Sequence, residues 1–98
     1  MEQKFLPIGS VVKRRDGEDY MITGYLLIME NDRNKLWDYS AVKFPVGYSD
    51  KQRITGLDQD EIETVICYGY MDIIQQKFME ALTEAKEALQ KQVEVNAK

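Results

Sequence analysis

Short apolar runs separated by polar turns fill residues 5–70 of this chain. The runs are rich in β-branched and aromatic residues, which favour strands. They lie at about 11–14, 20–29, 35–44, 53–57 and 62–68. Asp16-Gly17 predicts a tight turn, because Gly accepts a positive φ and Asp bonds to its own backbone. Gly24 interrupts the second run and predicts a bend or bulge. The pattern therefore predicts four to five strands, of which 53–57 is the weakest.

After Gly69 the composition changes to that of a helix, with many Gln, Lys, Glu, Ala and Leu residues and no Gly or Pro. Asp72 and Gln75 have the spacing of a helix-capping pair. One apolar stripe follows the predicted helix through Ile74, Phe78, Leu82, Ala85, Leu89 and Val93. The bulky first half, 73–79, is predicted to dock on the sheet. The thinner half beyond Leu82 is predicted to fray, to project or to await a partner.

Strands followed by a helix predict an α+β fold, in which a small antiparallel sheet or partly open barrel of four to five strands precedes a long C-terminal α-helix. Curling into a barrel would remove exposed strand edges, whereas a flat sheet would carry the helix across one face. At 98 residues the chain is predicted to be a single domain, 1–98, with a β-rich body at about 5–70 and the helix at about 72–95.

The net charge of −4 argues against nucleic-acid binding, since nucleic-acid domains carry a clustered excess of Lys and Arg. The basic cluster at 13–15 is followed at once by acidic residues, which is typical of an exposed β-turn. The first residues lack the apolar core of a signal peptide, and no apolar run approaches the ~20 residues of a membrane span. We therefore expect a cytoplasmic protein that binds neither nucleic acid nor membrane.

The chain lacks the usual catalytic and metal-binding side chains. It has no His, the commonest general base and zinc ligand. Its single Cys67 lies in a predicted strand, where a free thiol usually behaves as a small buried hydrophobe. The acidic run from Asp58 fails as a calcium loop, because Glu63 stands where Gly is required. Helix capping explains Asp58 and Glu61 instead. No catalytic residue, cofactor site or metal site is predicted, and the chain is not expected to be an enzyme.

Aromatic side chains and the apolar side of the helix are the candidates for binding. Tyr and Trp are enriched at protein interfaces, but they also fill small cores and stack on bases in nucleic-acid-binding barrels. Without a basic groove, core and protein contact are favoured over base stacking. The residues predicted as possible protein contacts are Trp37, Tyr39, Tyr48, Tyr70, Leu82, Leu89 and Val93.

Several short motifs follow one another along the chain. They are Phe5-Leu6-Pro7-Ile8-Gly9-Ser10-Val11-Val12, Ile22-Thr23-Gly24, Asp38-Tyr39, Pro45-Val46-Gly47-Tyr48, Ile62-Glu63-Thr64-Val65-Ile66, Gly69-Tyr70 and Asp72. In combination, over about residues 5–80, they resemble the small uncharacterised proteins grouped as domain of unknown function 4176. The resemblance implies a Gram-positive bacterial protein, often encoded beside LXG toxins that the type VII secretion system exports. It brings no catalytic residues with it.

The resemblance implies an accessory role, as a cytoplasmic adaptor or chaperone that binds a secreted toxin or its targeting factor. Our hypothesis is therefore a non-enzymatic protein-interaction module, with a homodimer through the C-terminal helix as an additional prediction. The alternative is a nucleic-acid-binding small barrel, which would retain single-stranded RNA or DNA in a salt-sensitive way. A small hydrolase is a third alternative, and it would need two convergent carboxylates.

Overall fold

Five strands and one long helix make up the chain in the computed structural model, which describes the backbone of residues 5–97 and the side chains of residues 5–94. The strands are β1 (Val11–Arg14), β2 (Asp19–Met29), β3 (Asp32–Lys43), β4 (Thr55–Leu57) and β5 (Ile62–Cys67), and the helix is α1 (Ile73–Ala97). A short 3-10 turn, Gln59–Glu61, joins β4 to β5. The predicted α+β fold is confirmed. Residues 1–4, which enter the expectation of a cytoplasmic chain, lie outside the described part.

The strands form one antiparallel sheet in the order β4-β3-β2-β1-β5. The first four strands follow one another, and β5 returns to pair with β1. The edge strands β4 and β5 would therefore lie ~19 Å apart in a flat sheet with ~4.8 Å between strands. Residues 58–61 alone connect them, and fully extended they reach no more than ~18 Å. Because these residues also form a turn, the sheet curls, but it stays open between its two edges.

The hairpin of β2 and β3 has a shorter turn than the sequence pattern predicted, and it contains the bulge predicted at Gly24. The predicted polar turn at 30–34 is only two residues long, because pairing resumes with Asp32 opposite Met29. The register shifts between Ile22 and Gly24, which is the predicted bulge. A Cβ on Gly24 would lie 2.7 Å from the Oγ of Ser40, so a side chain here would require the Ser40 hydroxyl to move.

Tyr39 lies at the centre of the core and joins three parts of the chain. Its hydroxyl accepts a hydrogen bond from the Leu6 backbone N–H at 2.9 Å and donates one to the Gln59 side chain. Its ring packs edge-on against Phe5, with 5.8 Å between ring centroids. Burial raises the pKa of Tyr39 far above its ordinary value. The other buried core residues are Phe5, Leu6, Val12, Tyr20, Ile22, Ala41, Leu57 and Leu82.

The prediction that the first half of α1 docks is confirmed for Phe78 and Met79 and wrong for Ile73 and Ile74. Phe78 packs against Tyr25 of β2 with 6.0 Å between ring centroids, and Met79 packs against the core, whereas Ile73 is 66% exposed. Asp72 caps the helix as predicted, with Oδ1 accepting from the Gln75 N–H at 2.8 Å. Leu82 and Val93 are 5% and 3% exposed, whereas Ile74 is 74% exposed. The reason is geometric: at about 100° per residue, Val93 is turned about 100° around the axis from Ile74. The predicted apolar stripe therefore winds around the helix, and Ile74 at its start turns away from the sheet.

Candidate protein-interaction surface

The segment between β5 and α1 is fixed by a close contact of two backbones. A Cβ on Gly69 would lie 2.1 Å from the Ile8 carbonyl oxygen, so Gly is the one residue that fits. The Gly69 N–H also donates to the Oγ of Ser10 at 3.0 Å. Ser10 is fully buried, and Gly9 beside it has a φ of 92°. This junction holds the residues on both sides of Gly69 in place.

These flanking residues form a large exposed apolar surface, here called the Tyr70 surface. It comprises Ile8, Ile66, Tyr68, Tyr70, Met71 and Ile73. Tyr68 and Tyr70 are 63% and 79% exposed. At roughly 200 Å² per aromatic side chain, these two residues alone expose about 300 Å². That area already matches the largest apolar patch of many monomers, so the Tyr70 surface calls for a functional explanation.

The edge of β5 adjoins the Tyr70 surface. Among the described strands, β5 pairs with β1 and has no neighbour on its other side. Glu63, Thr64, Ile66 and Cys67 are exposed along it. An unpaired edge with few charges is a template for another strand. The prediction that Cys67 is buried is wrong, because it lies on this edge, where its thiol donates weakly to the Tyr68 carbonyl at 3.6 Å.

A second exposed apolar cluster lies in the loop between β3 and β4. It comprises Phe44, Val46, Tyr48 and Ile54. Gly47 permits the turn, with a φ of 75°, and its N–H donates to the Lys43 carbonyl at 2.7 Å. The Tyr48 hydroxyl accepts a hydrogen bond from Arg53 at 3.2 Å. No anchor comparable to the Gly69 junction holds these side chains among the described residues, so this cluster serves below as a control surface.

The seven predicted contact residues divide into three groups. Tyr48, Tyr70 and Leu89 are exposed, and Trp37 is partly exposed. Tyr39, Leu82 and Val93 are buried in the core or under α1, so this fold does not offer them to a partner. The sequence pattern could not separate these groups, because aromatic and aliphatic residues fill cores and interfaces alike.

Trp37 is explained by packing within the sheet. A Cβ on Gly56 would lie 2.3 Å from its ring, so the indole covers the Gly56 backbone. The Lys35 ammonium lies 4.7 Å from the ring centroid on another side. The indole Nε1 of Trp37 is buried without a hydrogen-bond partner among the described residues. Trp37 therefore closes a glycine gap between β3 and β4.

Two convergent carboxylates, Asp38 and Asp58, join the 3-10 turn and α1 to β3. Asp38 accepts from the Gln59 N–H at 2.9 Å and pairs with Lys86 of α1 at 2.7 Å. Asp58 accepts from the Asp38 N–H at 3.1 Å and pairs with Lys35 at 2.6 Å, and this hydrogen bond raises the pKa of Lys35. Each of the four carboxylate oxygens thus has a partner within the fold. These contacts give the two carboxylates a structural role. The ion pair of Asp38 with Lys86 holds the second half of α1 on β3.

The basic cluster at 13–15 lies in and beside the β1–β2 turn, and two of its three side chains pair with acidic residues. Lys13 pairs with Asp19 at 2.9 Å, and the hydrogen bond between them raises the pKa of Lys13. Arg14 pairs with Asp16 at 2.5 Å, and the guanidinium lowers the pKa of that carboxyl. The side chain of Arg15 donates to the Asp60 carbonyl at 2.8 Å. These contacts do not form a groove that could follow a phosphate backbone.

A comparison with protein families places the chain. The family model described as "Domain of unknown function (DUF4176)" matches residues 5–78. The chain belongs to this family. The resemblance drawn from the motifs is thereby confirmed. No curated protein and no solved structure matches the chain.

The DUF4176 match includes the Gly69 junction and the whole Tyr70 surface, and it ends early in α1. Sequence reasoning found Tyr70 but missed the other five residues of the surface, which are Ile8, Ile66, Tyr68, Met71 and Ile73. A helical wheel of residues 73–94 carries a usable signal, because Ile73 and Ile74 lie far around the axis from Leu82 and Val93. Ile8 offered no such signal, since the fold alone brings it beside Gly69.

Among the described side chains, no three Asp, Glu or Cys residues come together as a group that could hold a metal ion. The helix of this DUF4176 chain, over its described length, is too polar to cross a bilayer.

Proposed function

We propose that this DUF4176 protein is a non-enzymatic protein-interaction module that binds its partner through the Tyr70 surface and the adjoining edge of β5. The observation that carries the proposal is the exposure of Tyr68 and Tyr70 on a backbone fixed at Gly69. Tyr supplies a large, rigid contact area, which makes it a frequent hot-spot residue at interfaces.

The edge of β5 suggests how the partner binds. An extended segment can add to an exposed sheet edge through main-chain hydrogen bonds, while alternate side chains enter pockets beside it. Ile66 belongs to β5 and to the Tyr70 surface, so one bound segment could use both. The proposed partner therefore offers an extended segment with apolar side chains.

The family resemblance supports a partner of one class. The resemblance implies a gene that often lies beside genes for LXG toxins of the type VII secretion system. We propose such a secreted toxin, or its targeting factor, as the partner, and a cytoplasmic adaptor or chaperone as the role. Nucleic acid is a poorer candidate, because the net charge is −4 and the basic cluster at 13–15 is paired with acidic residues or bonded to the backbone.

Co-purification with the cognate LXG toxin and its targeting factor tests the proposal. The double variant Tyr68→Ala and Tyr70→Ala should reduce capture about 10-fold or more, as expected for hot-spot aromatic residues. The matched control, Val46→Ala with Tyr48→Ala on the other exposed cluster, should capture normally.

Three results would contradict the proposal. They are no capture across several cognate pairs, unchanged capture by the Tyr68 and Tyr70 double variant, and salt-sensitive retention of single-stranded RNA or DNA in place of protein binding. Circular dichroism of each variant confirms that the fold is intact.

A further inference from the structure

One row of α1 side chains faces solvent and carries no charge. It comprises Ile74, Phe78, Ala81, Ala85, Ala88 and Gln92, and is here called the helix seam. At about 100° per residue, these positions fall within about 80° of one another around the axis. All are exposed except Ala85, which is half-buried. The charged residues of α1 over 73–94 all lie off this row.

The spacing of the helix seam is that of a coiled coil. Its positions alternate steps of four and three residues, which is the repeat that keeps one seam facing a partner helix. The domain uses this seam only at Phe78, whose ring packs against Tyr25 with 6.0 Å between ring centroids and stays 53% exposed, while Leu82 and Val93 lie on the docked side of α1. The three alanines would let another backbone approach closely, beside the large side chains of Ile74 and Phe78.

We propose that the helix seam packs against the same seam of a second copy of this chain, with the two helices antiparallel. In one register the large and small residues complement each other across the two-fold axis. Phe78 faces Ala81 of the second copy, and Ile74 faces Ala85 of the second copy. Every large side chain of the seam then meets an alanine, as knobs-into-holes packing requires.

Flanking charges select the same register. Lys77 and Glu84 are exposed beside the seam, on the side away from the sheet. In the antiparallel register above, Lys77 faces Glu84 of the second copy, and Glu84 faces Lys77 of the second copy. Sliding the copies by one heptad would place Lys77 opposite Lys91 and Glu84 opposite Glu84, which repel. In a parallel pair Lys77 would face the side of Leu82, with no ion pair.

The contact is short, so the dimer should be weak. From Ile74 to Ala85 the seam is about 18 Å long. This is smaller than a standard interface of ~800 Å² per partner, and we expect a Kd of about 10–100 µM.

Analytical ultracentrifugation of the full chain, from about 5 to 500 µM, tests the proposal across this range of Kd. The wild-type protein should pass from monomer to dimer. Ala81→Glu buries a charge at the centre of the seam and should abolish the dimer. Glu80→Lys lies on the solvent side of α1 and should leave it unchanged. Circular dichroism checks that both variants remain folded.

A charge exchange tests the antiparallel register. Lys77→Glu alone and Glu84→Lys alone should each raise Kd about 3-fold to 10-fold, because each replaces attraction by repulsion at two symmetric places. The double variant should return to within about 2-fold of wild type. An equimolar mixture of the two single variants should associate more tightly than either variant alone.

A chain that stays monomeric throughout the range would overturn the proposal, as would a dimer that survives Ala81→Glu. A double variant weaker than both single variants would overturn the register. The Tyr68→Ala and Tyr70→Ala variant should still dimerise, because the Tyr70 surface lies outside the seam. Loss of dimerisation and loss of toxin capture are therefore separate results.

Discussion

The two halves of α1 contain similar amino-acid types and use them in opposite ways. In the second half, Leu82 and Val93 are buried and Lys86 pairs with Asp38 of β3. In the first half, Ile74 is exposed, while its neighbour Gln75 turns its amide inward, near the Tyr25 hydroxyl and without a well-formed hydrogen bond. An apolar residue thus faces water where a polar one is buried.

This inversion separates the side chains of the helix that the fold buries from those that it leaves exposed. Burial of apolar side chains stabilises the second half, as in an ordinary core. The first half continues the exposed Tyr70 surface and begins the helix seam. It therefore presents apolar area that the monomer leaves unburied, which is the arrangement expected of a binding surface.

Paired truncations give the largest predicted contrast between the halves. Leu82→Ala should lower the free energy of unfolding by about 3 kcal/mol, because it leaves a cavity in the core. Ile74→Ala should change it by no more than ~0.5 kcal/mol, because the side chain is exposed. Urea unfolding monitored by circular dichroism measures both. Equal effects would show that the two halves are docked alike.

Paired removal of the anchoring carboxylates should give the next largest contrast. Asp38→Ala removes the acceptor of the Gln59 N–H and the ion pair between β3 and Lys86 of α1, which should cost about 2 kcal/mol. Asp72→Ala removes the helix cap and should cost about 1 kcal/mol. Hydrogen exchange should show faster opening of residues 82–93 in the first variant and of the first turn in the second. Exchange that rises in the same residues in both variants would argue against two separate anchors.

Substitutions of Tyr39 in the core and of Tyr70 on the exposed surface should differ in their effect on the free energy of unfolding. Tyr39→Phe should cost about 1 kcal/mol at neutral pH, since the Leu6 N–H and the Gln59 side chain lose their partner. Burial raises the pKa of Tyr39, so the folded chain keeps its proton while the unfolded chain loses it above about pH 10. Stability is therefore full below pH 10 and falls as the pH rises further.

Unfolding measured from about pH 9 to 12 checks this dependence. Tyr39→Phe should lose stability less steeply with pH than the wild type, while Tyr70→Phe, on the exposed surface, should follow the wild type. Part of the slope should persist in Tyr39→Phe, because burial also raises the pKa of Tyr25. If the free energy of unfolding fell equally with pH in the wild type and in Tyr39→Phe, the pH dependence would not come from Tyr39.

The smallest predicted effect concerns the buried polar residue of the first half. Gln75→Met should raise the free energy of unfolding by about 0.5 kcal/mol, because it replaces a buried amide that lacks well-formed hydrogen bonds. Gln76→Met, one position further and exposed, is the matched control and should have no effect. Thermal unfolding of the two variants side by side would detect the difference. A destabilised Gln75→Met would show that the amide bonds well to Tyr25.

Local patterns were enough to predict most of the secondary structure. The structure contains the turn predicted at Asp16-Gly17, the bulge predicted at Gly24 and the helix cap predicted at Asp72. Each of these features depends on backbone geometry within a few residues. The family was also recognisable from motifs, and the Gly69 motif proves to be the junction with Ile8 and Ser10. The exposed surface was not predictable in the same way, because it depends on which side of α1 meets the sheet.

The sequence by itself determined the strands, the helix and its cap, because those follow from side-chain chemistry and spacing along a short stretch. Tertiary structure decided that β4 and β5 take opposite edges, that Cys67 lies on one of them, and which side chains of α1 meet the sheet. An apolar stripe that winds by about 100° cannot face one sheet along its whole length. Packing therefore buried Leu82 and Val93 and left Ile74 exposed.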